Sequence, residues 1–171
     1  MKIGTVRRID DLGRIVIPKE IRRELRIKSG DNLEIFLEEK NIILKKYSEL
    51  SKLEEIEKAV ASVLKDTIKG DILITDNDKF IIISGREKQK YLNNEIKDEL
   101  LKIINNRQMY IEEQSGLYLT QEKENIIINP IITKGDIIGS IIVLTKQKID
   151  NNIIKVVTLL TNLLIKYIEY N

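Results

Sequence analysis

The first 47 residues of the chain contain only short extended segments around one short helix, which limits what they can fold into alone. The pattern predicts strands at residues 3–9 and 14–17, a helix at 19–26, and strands at 33–38 and 42–47. Asp and Gly at residues 10–13 favour a turn between the first two strands, and Pro18 suits the first turn of the helix. A few short strands bury too little apolar surface to form a stable domain. We therefore expect this region to form an obligate dimer.

The remaining residues carry longer elements and predict a second domain. A helical pattern covers residues 49–69, and it favours either a helix lying on its own domain or a two-helix seam between subunits. After Gly70 the predicted elements are strands at 71–75 and 80–84, a helix at 88–105, strands at 109–113, 126–133 and 137–145, and a helix at 153–170. This order is typical of an α+β fold in which helices cover an antiparallel sheet. The expected domains are residues 1–50, a linker or dimerisation helix at 51–69, and residues 70–171.

Arginine is concentrated near the N-terminus. Six of the eight arginines precede Gly30, and only Arg86 and Arg107 come later, although lysine is the commoner cation of the chain. Residues 1–47 carry twelve Lys or Arg against eight Asp or Glu, while the rest of the chain has two more acidic residues than basic ones. The planar guanidinium suits phosphates and guanine edges better than an ammonium does. This asymmetry predicts a polyanionic partner for the N-terminal region.

The sequence lacks both cysteine and histidine. Their absence excludes disulfides, thiolate and imidazole metal ligands, cysteine nucleophiles and the histidine base of a Ser-His-Asp triad. An enzyme is therefore not expected. The first residues have no apolar run of the kind found in signal peptides, and no segment approaches the roughly 18 apolar residues that span a bilayer. We expect a cytoplasmic, nucleoid-associated protein with no membrane partner.

The segments VRRIDDLGRIVIPKEIRREL, GDNLEIF and IILKKY resemble the swapped-hairpin DNA-binding domain of AbrB-type transition-state regulators. The resemblance implies an intertwined dimer of short strands, a swapped-hairpin β-barrel, with double-stranded DNA as its partner. It places the DNA contacts on five arginines, with two lysines adding charge: Arg7, Arg8, Arg14, Arg22, Arg23, Lys2 and Lys19. Because this geometry has no long recognition helix, we expect modest sequence preference, with bendable AT-rich DNA favoured.

A second interpretation of these arginines is that they form surface ion pairs with acidic neighbours, namely Asp10, Asp11, Glu20 and Glu24. Phosphate would repel Asp10 and Asp11, so we interpret both as turn formers that orient Arg14 or Arg8. Gly13 is expected to supply a backbone angle that the turn needs.

The second half resembles a GAF domain through DILITDNDKFIIISG, KQKYLNNEI and INPIITKGDIIGSIIVL, followed by an apolar last helix. The resemblance implies a GAF-like sensor domain with a ligand pocket between sheet and helices. Ser84, Tyr91 and Tyr118 would face such a pocket unless they serve core packing or lie in solvent. No cofactor is expected, since a bilin would need cysteine and haem would need histidine. The possibility that this domain binds an unidentified small ligand stays open.

Three aspartates of this half, Asp76, Asp78 and Asp136, are interpreted as turn residues rather than metal ligands. Their spacing lacks the glycine and the distal glutamate of a calcium loop. No metal site is therefore expected.

Two domains of these kinds in one chain are similar to a family of transcription regulators of sporulation in spore-forming bacteria. We expect a DNA-binding regulator whose last helix pairs with another subunit, so that two N-terminal dimers form a homotetramer with avidity on longer DNA. One alternative is an antitoxin-like swapped-hairpin module, against which the folded second half argues. The other is a GAF signalling sensor in which DNA binding is secondary.

Overall fold

The computed structural model describes residues 5–47, 50, 54–86, 88–115, 117–119 and 123–170. The chain separates into two compact units, Met1–Tyr47 and Ser48–Asn171. Among the described residues, no helix combines the length and the apolar character needed to cross a membrane.

The N-terminal unit consists of one short helix and one hairpin: α1 (Lys19–Glu24), β1 (Leu33–Glu38) and β2 (Asn41–Lys46). The strands are antiparallel, and their register pairs Ile35 with Leu44 and Glu38 with Asn41. Both strands confirm the prediction, the second beginning one residue earlier. Because side chains alternate along a strand, the apolar residues at 33, 35, 37, 42 and 44 lie on one face of the hairpin.

Helix α1 ends in a Schellman motif. The N–H of Ile27 donates to the carbonyl of Arg22 at 2.7 Å, and the N–H of Arg26 donates to the carbonyl of Arg23 at 3.2 Å. Arg26 adopts a φ of 51°, the left-handed conformation that this motif requires. The helix therefore ends two residues earlier than the sequence pattern predicted.

The strands predicted at residues 3–9 and 14–17 are not formed in the described range 5–17. The turn between them is formed. The N–H of Gly13 donates to the backbone carbonyl of Asp10 at 2.9 Å, and the N–H of Asp10 donates to the backbone carbonyl of Arg14 at 3.1 Å. Gly13 has a φ of +75°, which confirms its predicted role. An extended segment becomes a strand only by pairing with a neighbour. Within the described part of a single chain, no strand pairs with these residues.

The C-terminal unit is a five-stranded antiparallel sheet with helices on both faces. Its elements are α2 (Glu54–Ile68), β3 (Asp71–Thr75), β4 (Phe80–Ser84), α3 (Lys88–Tyr91), α4 (Asp98–Asn105), β5 (Tyr110–Ser115), β6 (Glu124–Thr133), β7 (Asp136–Thr145) and α5 (Asn151–Tyr170). The order across the sheet is β4-β3-β7-β6-β5. This confirms the predicted α+β class, and every predicted strand of this half is found within two residues of its bounds.

The core of this unit lies on both faces of the sheet. Ile72 and Ile74 of β3 pack under α2 and α5, while Leu73 between them packs toward α3 and α4. Strands β6 and β7 follow the same alternation, with apolar residues on both faces. Burial on both faces explains why these strands read as continuous apolar runs rather than as polar–apolar alternation.

The helix predicted at residues 88–105 is wrong in its middle, where the structure leaves a gap between α3 and α4. Residues in the gap form hydrogen bonds with the β3–β4 hairpin instead. The N–H of Asn93 donates to the backbone carbonyl of Phe80, and the N–H of Ile96 donates to the backbone carbonyl of Asp78, both at 2.8 Å. Asn93 adopts a left-handed φ of 64°. These long-range hydrogen bonds satisfy the backbone of the gap, so tertiary pairing overrides the helical pattern.

Helix α2 buries its apolar side within the C-terminal unit. Val60, Ala61, Leu64 and Ile68 are buried against the sheet and α5, whereas Val63 is exposed. This packing favours the first of the two interpretations of the helix, in which it lies on its own domain. Residues 49 and 51–53 of the predicted helix lie outside the described residues.

Candidate nucleic-acid interface

The turn at residues 10–14 is organised by one carboxylate. Asp10 accepts hydrogen bonds at Oδ1 from the N–H groups of Leu12 and Arg14, at 3.0 and 2.8 Å. Its Oδ2 accepts from Nε of Arg14 at 2.8 Å. The N–H of Arg14, then its guanidinium, lower the pKa of the Asp10 carboxyl below the ordinary value of 3.8. Asp10 therefore shapes the turn and orients Arg14, as the sequence suggested.

Arg22 and Arg23 lie side by side in the last turn of α1, and both are exposed. Neither forms a side-chain hydrogen bond or ion pair with another residue of the described part. Cations near the C-terminal end of a helix interact favourably with its dipole, which helps this short element to form. Both guanidiniums keep their N–H donors available to a partner.

The other predicted contacts are also on the surface. Arg7, Arg8 and Lys19 are exposed, and Nη1 of Arg7 donates to the carbonyl of Val6 at 3.3 Å. Lys2 lies outside the described residues.

The ion-pair interpretation applies to one of these arginines. Arg14 pairs with Asp10, and its side chain is still 72% exposed. Asp11, Glu20 and Glu24 form no ion pair with an arginine within the described ranges. An exposed pair of this kind contributes little to stability and does not remove the cation from the surface. The N-terminal unit thus presents basic side chains that its own acids do not neutralise.

The same unit leaves its apolar residues uncovered. Pro18 is the one buried residue within 5–47. Large apolar side chains that are exposed include Val6, Ile9, Ile15, Val16, Ile35, Leu37, Ile42 and Leu44. Leu37 and Ile35, on the apolar face of the hairpin, are 79% and 71% exposed. A contiguous exposed apolar face is typical of an interaction surface.

In the C-terminal unit, the tyrosines predicted to face a ligand pocket take part in packing. Tyr91 is buried beside Phe80, and its hydroxyl donates to the carbonyl of Tyr118 at 2.8 Å. The hydroxyl of Tyr118 accepts from the N–H of Lys97 at 3.2 Å, and burial raises the pKa of Tyr118. Ser84 is half-buried at the end of β4, opposite Ile72. These contacts favour the core-packing interpretation of both tyrosines.

The three aspartates behave as turn residues. Oδ1 of Asp76 accepts from the N–H groups of Asp78 and Lys79 at 2.7 and 2.8 Å, which closes the β3–β4 turn. Asp136 is exposed at the start of β7. Within the described ranges, no three acidic residues lie close enough together to hold a metal ion.

Sequence reasoning missed one charged cluster, formed by Arg86, Asp71 and Glu124. Nε of Arg86 lies 3.1 Å from Oδ2 of Asp71, and its Nη2 lies 2.7 Å from Oε1 of Glu124. The bonds to Glu124 and then Asp71 raise the pKa of Arg86. The available signal was weak: Arg86 is one of two arginines after the N-terminal region, beside a glycine.

Comparison with known proteins identifies both halves of the chain. Residues 49–169 match the family of the stage V sporulation protein T C-terminal domain, described as a transcription factor. Residues 6–51 match the antidote-toxin recognition family MazE, described as a bacterial antitoxin. Stage V sporulation protein T of Bacillus subtilis (strain 168) is 40% identical over 151 residues, which cover 85% of this chain and 85% of that protein.

Two further comparisons concern single domains. Transition state regulatory protein AbrB of Bacillus subtilis (strain 168) is 57% identical over 44 residues, which are 26% of this chain and 46% of that protein. The crystal structure of the GAF domain/HD domain protein from Geobacter sulfurreducens superposes with a TM-score of 0.57 at 14% identity, covering 69% of this chain and 93% of that one. The second likeness shows the GAF fold.

Fold and comparisons together define a transcription factor, not an enzyme, with an AbrB-type N-terminal domain and a GAF-like C-terminal domain. The chain belongs to the stage V sporulation protein T family.

Proposed function

We propose that the chain regulates transcription during sporulation by binding double-stranded DNA through a dimer of its N-terminal unit. The observation that carries this proposal is the combination of exposed basic side chains with an uncovered apolar hairpin face in one small unit. A second copy would cover the apolar face and double the basic set. The DNA contacts are assigned to Arg7, Arg8, Arg14, Arg22 and Arg23, with Lys2 and Lys19 adding charge.

Dimerisation is supported by the lack of a core. Removing apolar surface from water is the main favourable term in folding. The N-terminal unit, with Pro18 alone buried in the range 5–47, gains little from it as a single copy. The extended segments on either side of the turn at 10–14 also have no strand partner among the described residues. An intertwined dimer would supply strand partners and a shared core together.

A homotetramer is proposed through the C-terminal unit. Helix α5 buries Val157, Thr161 and Leu164, whereas Leu159 and Leu163 are exposed on its outer side. Pairing of this outer side with another subunit would bring two DNA-binding dimers together. Two linked sites bind long DNA more tightly than either alone.

The proposal is tested by measuring the affinity for an AT-rich duplex across a salt series. Each phosphate contact contributes to the slope of log K against log salt. We expect steep salt dependence for the wild type and a shallower slope for Arg14→Ala/Arg23→Ala. A duplex of mixed composition should bind more weakly if deformability contributes to recognition.

A charge-matched control separates specific contacts from general electrostatics. Arg107→Ala/Lys155→Ala removes two exposed cations from the C-terminal unit and should leave the slope unchanged. The assignment fails if the wild type does not bind at low salt, or if both double variants behave alike.

An antitoxin is the rival function, favoured by the match of residues 6–51 to the MazE family. In that case the chain that follows would serve to cover a toxin. Here it folds into a sheet with two helical layers and matches a transcription-factor family over residues 49–169. DNA binding is therefore the better supported function.

A further inference from the structure

A cleft of about 540 Å³ opens at one end of the sheet in the C-terminal unit. It lies where β3 and β6 begin and where β4 and β7 end, and the end of α2 forms one wall. Basic side chains stand on separate walls: Lys65 and Lys69 at the end of α2, Arg86 after β4, and Lys146 after β7. The volume is within the range of small-molecule sites in proteins.

Arg86 is held in this cleft by two buried carboxylates. The side chains of Asp71 and Glu124 are 7% and 5% exposed, whereas that of Arg86 is 62% exposed. A guanidinium has five N–H donors, of which these carboxylates take two. The other donors have no partner in the described part of the chain. A guanidinium fixed in this way can bind a phosphate or carboxylate in fork geometry without losing further side-chain freedom.

The neighbouring backbone is adapted to this arrangement. A Cβ atom at Gly85 would lie 2.4 Å from Oδ1 of Asp71, so a larger residue would displace the carboxylate. The N–H of Arg86 also donates to Oδ1 of Asp71, at 3.3 Å. Asp71 thus holds Arg86 by both its backbone and its side chain.

The simpler interpretation of this cluster is structural, with the ion pairs serving only to hold the strand ends together. That role requires neither a cleft beside the guanidinium nor the two lysines. Lys65 and Lys69 are exposed and form no side-chain ion pair with another described residue. Basic residues outnumber acidic ones by four to three in the lining, and the two buried acids already bind Arg86. The exposed part of the cleft is therefore cationic.

We propose that this cleft binds a small metabolite that carries at least two negative charges on phosphate or carboxylate oxygens. Arg86 provides the fixed fork, and Lys65 and Lys69 provide charge from the end of α2. The cleft opens at the end of the sheet, and neither Tyr91 nor Tyr118 lines it. It does not depend on the proposed DNA binding.

The test is calorimetric titration of the full chain with two probes, inorganic pyrophosphate and citrate. Saturable binding of pyrophosphate alone would indicate a phosphorylated ligand, and binding of citrate alone a polycarboxylate. Lys65→Gln/Lys69→Gln should weaken the binding about tenfold, which is the effect of losing about 1.4 kcal/mol. Arg86→Gln should abolish it.

Two controls keep the outcome decisive. Arg86→Gln leaves two buried carboxylates unpaired and can destabilise the unit, whereas the lysine variant retains them paired and reports binding alone. Polyanions are also attracted to the N-terminal arginines, so Arg14→Ala/Arg23→Ala must retain the cleft binding. The proposal is overturned if neither probe binds, if the lysine variant binds as the wild type does, or if the N-terminal variant abolishes binding.

Discussion

At the scale of single residues, Asp10 shows how one side chain links backbone geometry to a surface cation. Its two carboxylate oxygens accept three hydrogen bonds, two from backbone N–H groups and one from the guanidinium of Arg14. Bonds to backbone fix the turn, and the bond to Nε limits the directions that Arg14 can take. An arginine held this way loses less freedom when it contacts a phosphate.

The first prediction concerns the titration of Asp10. Its pKa in the folded chain lies below the ordinary 3.8 because the N–H and the guanidinium of Arg14 stabilise the carboxylate. A lowered pKa means that this group stabilises the fold above its unfolded pKa, and that the stabilisation is lost as pH falls through the folded pKa. Carboxyl carbon NMR should show a midpoint below 3.8. Arg14→Ala removes the guanidinium but keeps the backbone bond, so the midpoint should rise only part of the way; no rise would contradict this account.

The second prediction concerns Gly139 in β7. A Cβ atom there would lie 2.0 Å from the carbonyl oxygen of Thr75 and 2.6 Å from Leu50, so Gly139→Ala should destabilise the unit by about 3 kcal/mol. Gly135→Ala is the matched control in the same hairpin. Gly135 has open space around it but a φ of +87°, so its substitution should cost only about 1 kcal/mol of backbone strain. Urea denaturation of both variants measures the difference, and equal losses would show that the close approach relaxes.

Residue-level prediction from sequence succeeds where the partners are near in the chain. The turn at residues 10–13 and its link to Arg14 were readable because Asp10 and Arg14 are four positions apart. The cluster around Arg86 could not be predicted from the sequence, because Asp71 and Glu124 lie 15 and 38 positions away from it. Only the folded sheet brings β3, β4 and β6 together at one end.

At the scale of elements, helix α5 is fixed to the sheet by a polar contact inside an apolar interface. Nδ2 of Asn129 on β6 donates to Oγ1 of Thr161 at 2.8 Å, and that hydroxyl donates to the carbonyl of Val157 at 2.8 Å. Thr161 is buried. Apolar contacts allow a helix to slide, whereas this hydrogen bond is satisfied in a single register.

The third prediction is a coupling energy between these two residues. Asn129→Ala and Thr161→Ala should each destabilise the unit, and the double variant should lose less than the sum, with a coupling of about 1 kcal/mol. Denaturant unfolding of the four proteins in this cycle measures it. Additive losses would show that the hydrogen bond does not fix α5.

Element prediction failed where tertiary hydrogen bonds competed with a local pattern. The apolar residues at 92, 96, 100 and 104 have helical spacing, yet the backbone of residues 93–96 pairs with the β3–β4 hairpin. The strands predicted at 3–9 and 14–17 failed for a different reason, since no strand of the described part of the chain pairs with residues 5–17. The strands of the five-stranded sheet were predictable, because an apolar run bounded by turn residues is typical of a buried strand.

At the scale of the whole molecule, the exposed large apolar side chains include two sets, apart from single residues such as Val63 and Ile111. One set is the hairpin face and the segments around the turn in the N-terminal unit, and the other is the outer side of α5. Each unit is therefore expected to have its own partner. Two different interfaces on one chain permit an assembly larger than a dimer.

The last prediction separates these interfaces by one variant for each. Leu37 is 79% exposed in the single chain, and Leu37→Glu would place a charge inside the proposed barrel, so DNA binding should be lost together with N-terminal dimerisation. Leu159→Glu/Leu163→Glu should instead halve the mass measured by light scattering, because only the α5 contact is broken. That variant should still bind a short duplex as tightly as the wild type and lose affinity only on DNA long enough for two sites. If the α5 variant keeps its mass, the tetramer contact lies elsewhere, and if Leu37→Glu binds DNA normally, the hairpin face does not form the dimer.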